Sequence, residues 1–248
     1  MSTVLLLHAG IADRRMWQPQ VEVLEAAGHS VIAPDLRGFG ERRLEPALFS
    51  YVRDAEELLD GPAAVVGCSL GGRVALELAL HRPDLVERLV VIAPGFPGWE
   101  WSDETRAGWA AEEEAYEAGD FETAAEASVR MWVDGPDRSR EEVDPDMRPA
   151  VTDMVLRSYE MQHGAWEAGA DEEVVLDPPI GGRLDEIRCP TLVVVGEYDV
   201  ADMRGIAAHL ADSIDGARLV TVADAAHLPS LERADEVNRL LLAFLAES

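Results

Sequence analysis

Residues 63–79, which read AAVVGCSLGGRVALELA, decide the fold of this chain. The first four residues are an apolar run that predicts a buried strand, and the last six have the apolar spacing of a helix. Between these elements, Gly67, Ser69 and Gly71 have the spacing of a sharp strand-to-helix turn with the serine at its tip. The N-terminus of the helix stabilises negative charge next to that hydroxyl. The stretch therefore predicts a nucleophilic serine.

Similar alternation of strands and helices continues on both sides of this stretch. The other predicted strands are Val4–Leu7, Val31–Ala33, Leu89–Ile92, Thr191–Val195 and Arg218–Val222. The predicted helices are Trp17–Ala27, Ser50–Leu59, a helix from the serine turn to His81, Asp202–Ile214 and Glu232–Ala246. Buried strands that alternate with helices are typical of a parallel sheet covered on both faces. We therefore predict an α/β fold with a doubly wound, mostly parallel sheet of about six strands.

The composition changes after Gly95, where a Glu-rich and helical stretch interrupts the alternation. We predict helices over Asp103–Ala118 and Phe121–Val133 and a third near Asp146–Ala168, with Val174–Val175 as the one possible strand. We therefore predict a core formed by residues 1–95 and 186–248, with a helical cap inserted at residues 96–185.

The composition also limits the classes of ligand. The 248 residues carry a formal net charge of −27, and all 21 basic residues are arginine. This charge argues against binding to nucleic acid or to an anionic membrane, because both need clustered basic side chains. The absence of lysine excludes a Schiff-base enzyme and a Walker-type phosphate loop. We expect a small-molecule substrate and a protein that is a monomer or a homodimer.

The N-terminus and the cysteines indicate the compartment. The chain enters an apolar strand at once, without a signal-peptide pattern or an apolar run long enough to span a membrane. Cys68 and Cys189 lack the spacing of metal ligands and are expected to be buried, reduced thiols. Cys68 precedes the tip of the serine turn, so its side chain should point into the fold. We expect a cytoplasmic protein.

A serine nucleophile needs a base and an acid that orients the base. Of the histidines after Ser69, only His227 lies in a loop just past a predicted strand. Asp199 directly follows the preceding predicted strand, at the sheet edge where Ser69 is expected. Asp202 is the alternative acid, although it has the position of an N-cap residue for the next helix. Glu197 is a third option.

Five motifs together resemble the α/β-hydrolase family. They are His8-Ala9-Gly10, PDLRGFG at 34–40, GCSLGG at 67–72, GEYD at 196–199 and AHLP at 226–229. The resemblance covers the whole chain and is greatest to the capped 3-oxoadipate enol-lactonase-like and carboxylesterase-like group. It implies that Ser69 is the nucleophile, His227 the general base and Asp199 the orienting acid. It also implies an oxyanion hole formed by the backbone N–H groups of Gly10 and Leu70.

The chain departs from the family pattern at three places. The usual His-Gly is His8-Ala9, and Gly10 stands where a large residue is common, which leaves the roof of the site more open. Glu41 stands where a serine is common. The family usually starts with a β-hairpin, and this chain starts at the next strand. We therefore expect six strands, with Val31–Ala33 as an edge that is either solvated or covered in a symmetric dimer.

The sequence predicts a serine hydrolase that cleaves a small carboxylic ester or lactone through an acyl-enzyme, without a cofactor or a metal ion. The same triad also serves carbon–carbon bond hydrolases and lyases, and some proteins of this fold are ligand-sensing signalling proteins. The candidate substrate-binding residues are Ile11, Trp99, Met131, Trp132 and Met161. The alternative for each is a purely structural role in packing.

Overall fold

A single parallel sheet organises the part of the chain that the structure describes. The structure is a computed structural model that describes residues 2–45, 48–167, 173–175 and 177–247. Within these residues, six strands have the order β2-β1-β3-β4-β5-β6, and every pairing is parallel. The strands are β1 Thr3–Leu7, β2 Ser30–Ile32, β3 Ala63–Cys68, β4 Val86–Ile92, β5 Thr191–Gly196 and β6 Arg218–Val222. The predicted α/β fold with a six-stranded sheet is confirmed, and β2 lies at one edge.

Helices cover both faces of this sheet. They are α1 Gln18–Ala26, α2 Tyr51–Glu56, α3 Leu70–His81, α4 Asp103–Glu117, α5 Phe121–Val129, α6 Met147–Glu167, α7 Ala201–Ser213, α8 Pro229–Glu232 and α9 Ala234–Leu245. Helices α2, α3 and α7 pack on one face, whereas α1 and α9 pack on the other. Among the described residues, no helix combines the length and the apolar character that crossing a membrane requires.

Alternating side chains of the strands fill the two layers of the core. Leu5 and Leu7 of β1 pack towards α3, whereas Val4 and Leu6 pack towards α1 and α9. All four side chains are fully buried. A strand that is buried on both faces needs a continuous apolar run, and this explains why the sequence pattern located these strands.

Four local expectations differ from the structure. The helix expected to end at Val133 is α-helical only to Val129 and continues as a π-helical turn, Arg130–Asp134. The last predicted helix is divided by Arg233, whose φ of −126° and ψ of 50° separate α8 from α9. Cys189 is half-buried rather than buried. Val174 and Val175 lie outside the sheet and are 48% and 57% exposed.

The segment between β4 and β5, residues 96–185, contains α4, α5, the π-helical turn and α6. We call it the cap segment. Helix α5 packs against both α4 and α6. Ala168, the expected end of the third helix, lies outside the described residues. The division into a core and a separate cap domain stays a prediction.

Candidate active site

Ser69 occupies a strained turn between β3 and α3. Its φ of 50° and ψ of −112° lie in the left-handed half of conformational space, which costs a non-glycine residue about 1–3 kcal/mol. A Cβ atom on Gly67 would lie 2.1 Å from the carbonyl oxygen of Gly71, and one on Gly71 would lie 2.2 Å from that of Leu7. Both positions therefore need glycine, and the turn places Ser69 at the C-terminal edge of the sheet.

His227 and Asp199 form a buried pair at the same edge. His227 lies in the histidine loop, residues 223–228, which connects β6 to α8, and Asp199 lies in the acid loop, residues 197–200, which connects β5 to α7. The Nδ1 atom of His227 is 2.9 Å from Oδ2 and 3.2 Å from Oδ1 of Asp199, and each residue is only 1% exposed. The Oδ1 atom also accepts a hydrogen bond of 2.9 Å from the N–H of Val200. A carboxylate in this place favours the tautomer with the hydrogen on Nδ1, which leaves Nε2 as a base.

Cys68, the residue before Ser69, forms a hydrogen bond to the histidine loop. Its thiol donates to the backbone carbonyl of His227 at a sulfur-to-oxygen distance of 3.7 Å. Among the described residues, no hydrogen bond joins the Ser69 hydroxyl to His227. Burial raises the pKa of the Cys68 thiol, and the negative charge of Asp199 raises it further. The expectation that Cys68 points into the fold is confirmed, and the thiol is protonated at neutral pH.

Gly10 and Leu70 lie next to each other beside the serine. A Cβ atom on Gly10 would be 3.7 Å from the Cβ of Leu70, an ordinary contact distance. Leu70 is the first residue of α3, so its N–H has no acceptor within the helix. Within the described part of the chain, the N–H of Gly10 also donates no hydrogen bond. Two adjacent backbone donors are thus available near Ser69.

Two hydrogen bonds fix the side chain of His8, two residues before Gly10. Its Nδ1 donates to the carbonyl of Ala9 at 2.8 Å, and its Nε2 accepts from the N–H of Leu36 at 2.8 Å. The second contact requires a neutral imidazole, because both ring nitrogens are donors when the ring is protonated. Burial lowers the pKa of His8, which agrees with that requirement. The backbone of His8 also accepts a hydrogen bond from Gly71, which connects the end of β1 to α3.

Of the candidate substrate-binding residues, Trp132 lies against the base, and Met131 lies in a cavity between α4, α5 and Val200. The indole of Trp132 contacts the imidazole of His227, with ring centroids 4.4 Å apart. The carbonyl of Trp132 also accepts the backbone N–H of His227 at 3.2 Å. Met131 lines a cavity of about 340 Å³ whose wall includes Val200, the neighbour of Asp199.

The other three candidates lie elsewhere. Trp99 donates from Nε1 to Asp202 at 3.2 Å and contacts His209. Met161 lines a separate cleft between α6 and the Arg43–Leu44 stretch. Ile11 is half-buried and packs against both layers of the core. Among the described residues, no hydrogen bond or ring contact joins these three residues to Ser69, Asp199 or His227.

The alternative acids are engaged in other contacts. Asp202 is not the N-cap residue of α7, since the helix begins at Ala201 and Val200 takes that position. Its carboxylate accepts hydrogen bonds from the side chains of Trp99, Ser102 and Thr105, at the start of α4. The carboxylate of Glu197 is exposed and accepts the N–H of Asp224.

The structure also bears on a metal site and on one arginine beside the acid and histidine loops. Within the described ranges, no group of three His, Cys, Asp or Glu side chains is arranged to hold a metal ion. Sequence reasoning missed Arg138, which lies between the acid and histidine loops. An arginine in a charged stretch after Gly135-Pro136 carries no motif or periodicity that could have identified it.

Comparison with known proteins shows a likeness over the whole chain. The model of the "Alpha/beta hydrolase family" matches residues 4–240. A putative carbamate hydrolase of Variovorax paradoxus is 30% identical over 98% of this chain and 91% of its own. The solved structure of a thermophilic esterase from Thermogutta terrifontis has a TM-score of 0.79 and 27% identity, covering 99% of this chain and 89% of that one. An enol-lactonase from Burkholderia xenovorans shares the fold, with a TM-score of 0.75 and 24% identity over 99% of this chain and 92% of that one.

Proposed function

The chain belongs to the alpha/beta hydrolase family, and we propose that it hydrolyses a small carboxylic ester or lactone through an acyl-enzyme on Ser69. One observation carries the proposal. The buried His227–Asp199 pair, joined at 2.9 Å, lies at the same sheet edge as the strained turn that presents Ser69. A nucleophile, a base and an acid that orients the base are the three parts that acyl transfer needs.

The first half of the reaction forms the acyl-enzyme. Nε2 of His227 removes the proton from the Ser69 hydroxyl while Oγ attacks the substrate carbonyl carbon. Asp199 holds the imidazole through Nδ1 and stabilises its positive charge. The N–H groups of Gly10 and Leu70 bind the oxyanion, and each such donor is worth roughly 3 kcal/mol in comparable sites. The intermediate collapses, and the imidazolium gives its proton to the leaving alcohol oxygen.

The second half repeats these steps with water. His227 removes a proton from water, the hydroxide attacks the acyl carbon, and Ser69 leaves with the proton from the imidazolium. The carboxylic acid is released and the enzyme is restored. In free enzymes the bond between nucleophile and base is often long and tightens only when substrate binds. The contact between Ser69 and His227 therefore forms in the substrate complex.

The surface beside the base suggests the character of the substrate. The ring of Trp132 lies tilted against that of His227 with centroids 4.4 Å apart, and Trp109 extends the aromatic surface from Trp132 at 6.3 Å. Trp132 and Met131 are proposed to contact the apolar part of the substrate nearest the reacting carbonyl. Ile11, Trp99 and Met161 are proposed for more distant parts of it. The likeness to an esterase and to a putative carbamate hydrolase supports acyl chemistry.

A screen of p-nitrophenyl esters, simple lactones and carbamates tests the proposal. We expect repeated turnover and a mass-spectrometric acyl adduct on Ser69 with slow substrates. Ser69→Ala should lower kcat by several orders of magnitude and leave the near-UV circular dichroism spectrum unchanged. Retention of more than about a tenth of the activity would refute the serine mechanism. One acylation event without turnover would instead favour the ligand-sensing alternative.

A further inference from the structure

Arg138 lies at the junction of the cap segment with the core. The side chain is 6% exposed and follows the π-helical turn that carries Trp132. Its Nε donates to the carbonyl of Asp134 at 2.8 Å, and its Nη2 donates to that of Val133 at 2.9 Å. These two bonds attach the guanidinium to the last turn of the π-helical segment.

The remaining N–H groups of Arg138 bond the histidine loop at Asp224 and helix α8 at Glu232. Its Nη1 donates to the carbonyl of Asp224 at 3.5 Å, and Nη1 and Nη2 each donate to one oxygen of Glu232. The Oε2 atom of Glu232 in turn accepts the N–H of Ala226 at 2.9 Å. Ala226 is the residue before His227. All five N–H groups of the guanidinium are therefore used. One bonds the loop that holds the base directly, and two bond it through Glu232.

The acid loop packs against the same place. The Arg138 guanidinium lies over the ring of Tyr198, 5.1 Å from its centroid, and Tyr198 is the residue before Asp199. Gly135, with a φ of 80°, lies so close that a Cβ atom would be 2.4 Å from the Tyr198 carbonyl oxygen. The N–H of Tyr198 also donates to the carbonyl of Ala225 at 2.8 Å. The cap segment thus contacts the residue before the acid and the loop of the base at one point.

We propose that Arg138 is a positioning residue for proton transfer, because it fixes the acid loop and the histidine loop against the π-helical turn. The proposal rests on the proposed function, since it concerns the same reaction. Arg138 touches neither Ser69 nor the reacting atoms. It acts through the backbone on both sides of the His227–Asp199 bond. A displacement of about 1 Å in such a bond can cost a factor of about 100 in rate.

The network requires an arginine with a matching carboxylate. Lysine has no planar fork and cannot donate at once to two carbonyls on one side and a carboxylate on the other. The Glu232 side chain is also only 6% exposed, so the loss of its partner leaves a buried and uncompensated charge. We therefore expect Arg138→Lys to restore only a small part of the rate that Arg138→Met loses.

Arg148 supplies a matched control. It is a buried arginine, 6% exposed, and it donates to the Asp134 side chain on the other side of the π-helical turn, with an Nε-to-Oδ1 distance of 3.0 Å. Its second partner is Glu126 of α5. Both partners lie in the cap segment. Arg148→Met takes the arginine partner from the buried Asp134 carboxylate and should destabilise the cap segment, whereas the bonds of Arg138 to Asp224 and Glu232 keep both of their partners.

The experiment measures the reactivity of Ser69 with a fluorophosphonate, which needs no knowledge of the substrate. We expect Arg138→Met to react at least about tenfold more slowly than wild type and Arg148→Met to stay within about threefold. Proton NMR of the downfield Nδ1 hydrogen of His227 provides a second readout. That signal should weaken or shift in Arg138→Met and stay unchanged in Arg148→Met.

The outcomes separate this proposal from the proposed function. If Ser69 of the wild type is not labelled, the proposed function fails, and the His227 signal still decides the role of Arg138. If Arg138→Met does not fold, Glu232→Gln decides, because it keeps the shape of the side chain and an acceptor for Ala226 but removes the charge. Wild-type labelling and an unchanged His227 signal in the folded variants would overturn the proposal. Equal losses in the Arg138 and Arg148 variants would also overturn it.

Discussion

Replacement of Asp199 by asparagine should reverse the hydrogen bond that makes His227 a base. The Oδ1 atom of Asp199 accepts the N–H of Val200 at 2.9 Å, and Oδ2 faces Nδ1 of His227 at 2.9 Å. In Asp199→Asn, the amide oxygen is needed next to Val200, so the NH₂ group faces Nδ1. Nδ1 must then accept a hydrogen bond, and the ring hydrogen moves to Nε2. That tautomer cannot take the proton of Ser69.

The size of the effect follows from the two orientations of the amide. The flipped orientation restores the productive tautomer but places NH₂ against the N–H of Val200, and an unsatisfied buried donor costs about 1–3 kcal/mol. The productive form is then populated roughly 5- to 150-fold less than the other. The variant also lacks the carboxylate charge that stabilises the imidazolium. In a serine protease, the same change lowers kcat by about 10⁴-fold, or about 5.4 kcal/mol. We expect a similar loss for Asp199→Asn.

The assay compares Asp199→Asn with Asp202→Asn, since both remove one negative charge near the start of α7. Rates of fluorophosphonate labelling and of p-nitrophenyl ester hydrolysis are measured below the unfolding transition of both variants. Asp202→Asn should keep its rate within about tenfold, because its partners are at the start of α4. Retention of more than about a tenth of the rate in Asp199→Asn, with a larger loss in Asp202→Asn, would refute the assignment of the acid.

Three further predictions concern stability and reactivity. Burial acts to raise the pKa of Asp202, but hydrogen bonds from the start of α4 outweigh it and lower the pKa. The ionised Asp202 therefore stabilises the fold above pH 4, and this stabilisation is lost as the pH falls below it. The thermal unfolding temperature of Asp202→Asn should depend less on pH between 5 and 3 than that of the wild type. An equal dependence would contradict this. Gly135→Ala should lower the free energy of unfolding by more than about 1 kcal/mol. The reason is that residue 135 has a φ of 80° and that a Cβ atom there would lie 2.4 Å from the Tyr198 carbonyl oxygen. An unchanged denaturant midpoint would contradict this close approach. Iodoacetamide should label the half-buried Cys189 of the native protein and leave the fully buried Cys68 unlabelled. Peptide mass spectrometry measures both. Early labelling of Cys68 would contradict its burial.

The sheet could be predicted because its residues depend little on distant parts of the chain. Each central strand is buried on both faces, so it needs an apolar run, as in β3 and β5, where every residue is buried. The turn at Ser69 could also be predicted for a local reason. The backbone approaches positions 67 and 71 so closely that only glycine fits at either position. The six-stranded sheet followed from these elements.

Other features depend on partners far away in the sequence. Asp202 has the residue type of an N-cap, but its partner Ser102 lies 100 residues earlier in the chain. The residues of the π-helical turn are compatible with an α-helix. Their carbonyls are held by Arg138, and the side chain of Asp134 is held by Arg148. No local pattern records such contacts, so the expected helix continued to Val133.

The residues of the site differ in how they are attached to the cap segment. The backbone of Ser69 is attached to the end of β4 and the residues after it, since its N–H donates to the carbonyl of Ile92 at 2.9 Å and its carbonyl accepts the N–H of Gly95 at 2.9 Å. The base has a direct bond to the cap segment, because its N–H donates to the carbonyl of Trp132 at 3.2 Å. The acid loop is contacted from the cap segment at Tyr198, and Asp202 joins the start of α7 to α4. A displacement of Trp132 would therefore act directly on the backbone of His227, whereas the hydrogen bonds of Ser69 among the described residues are all to residues outside the cap segment.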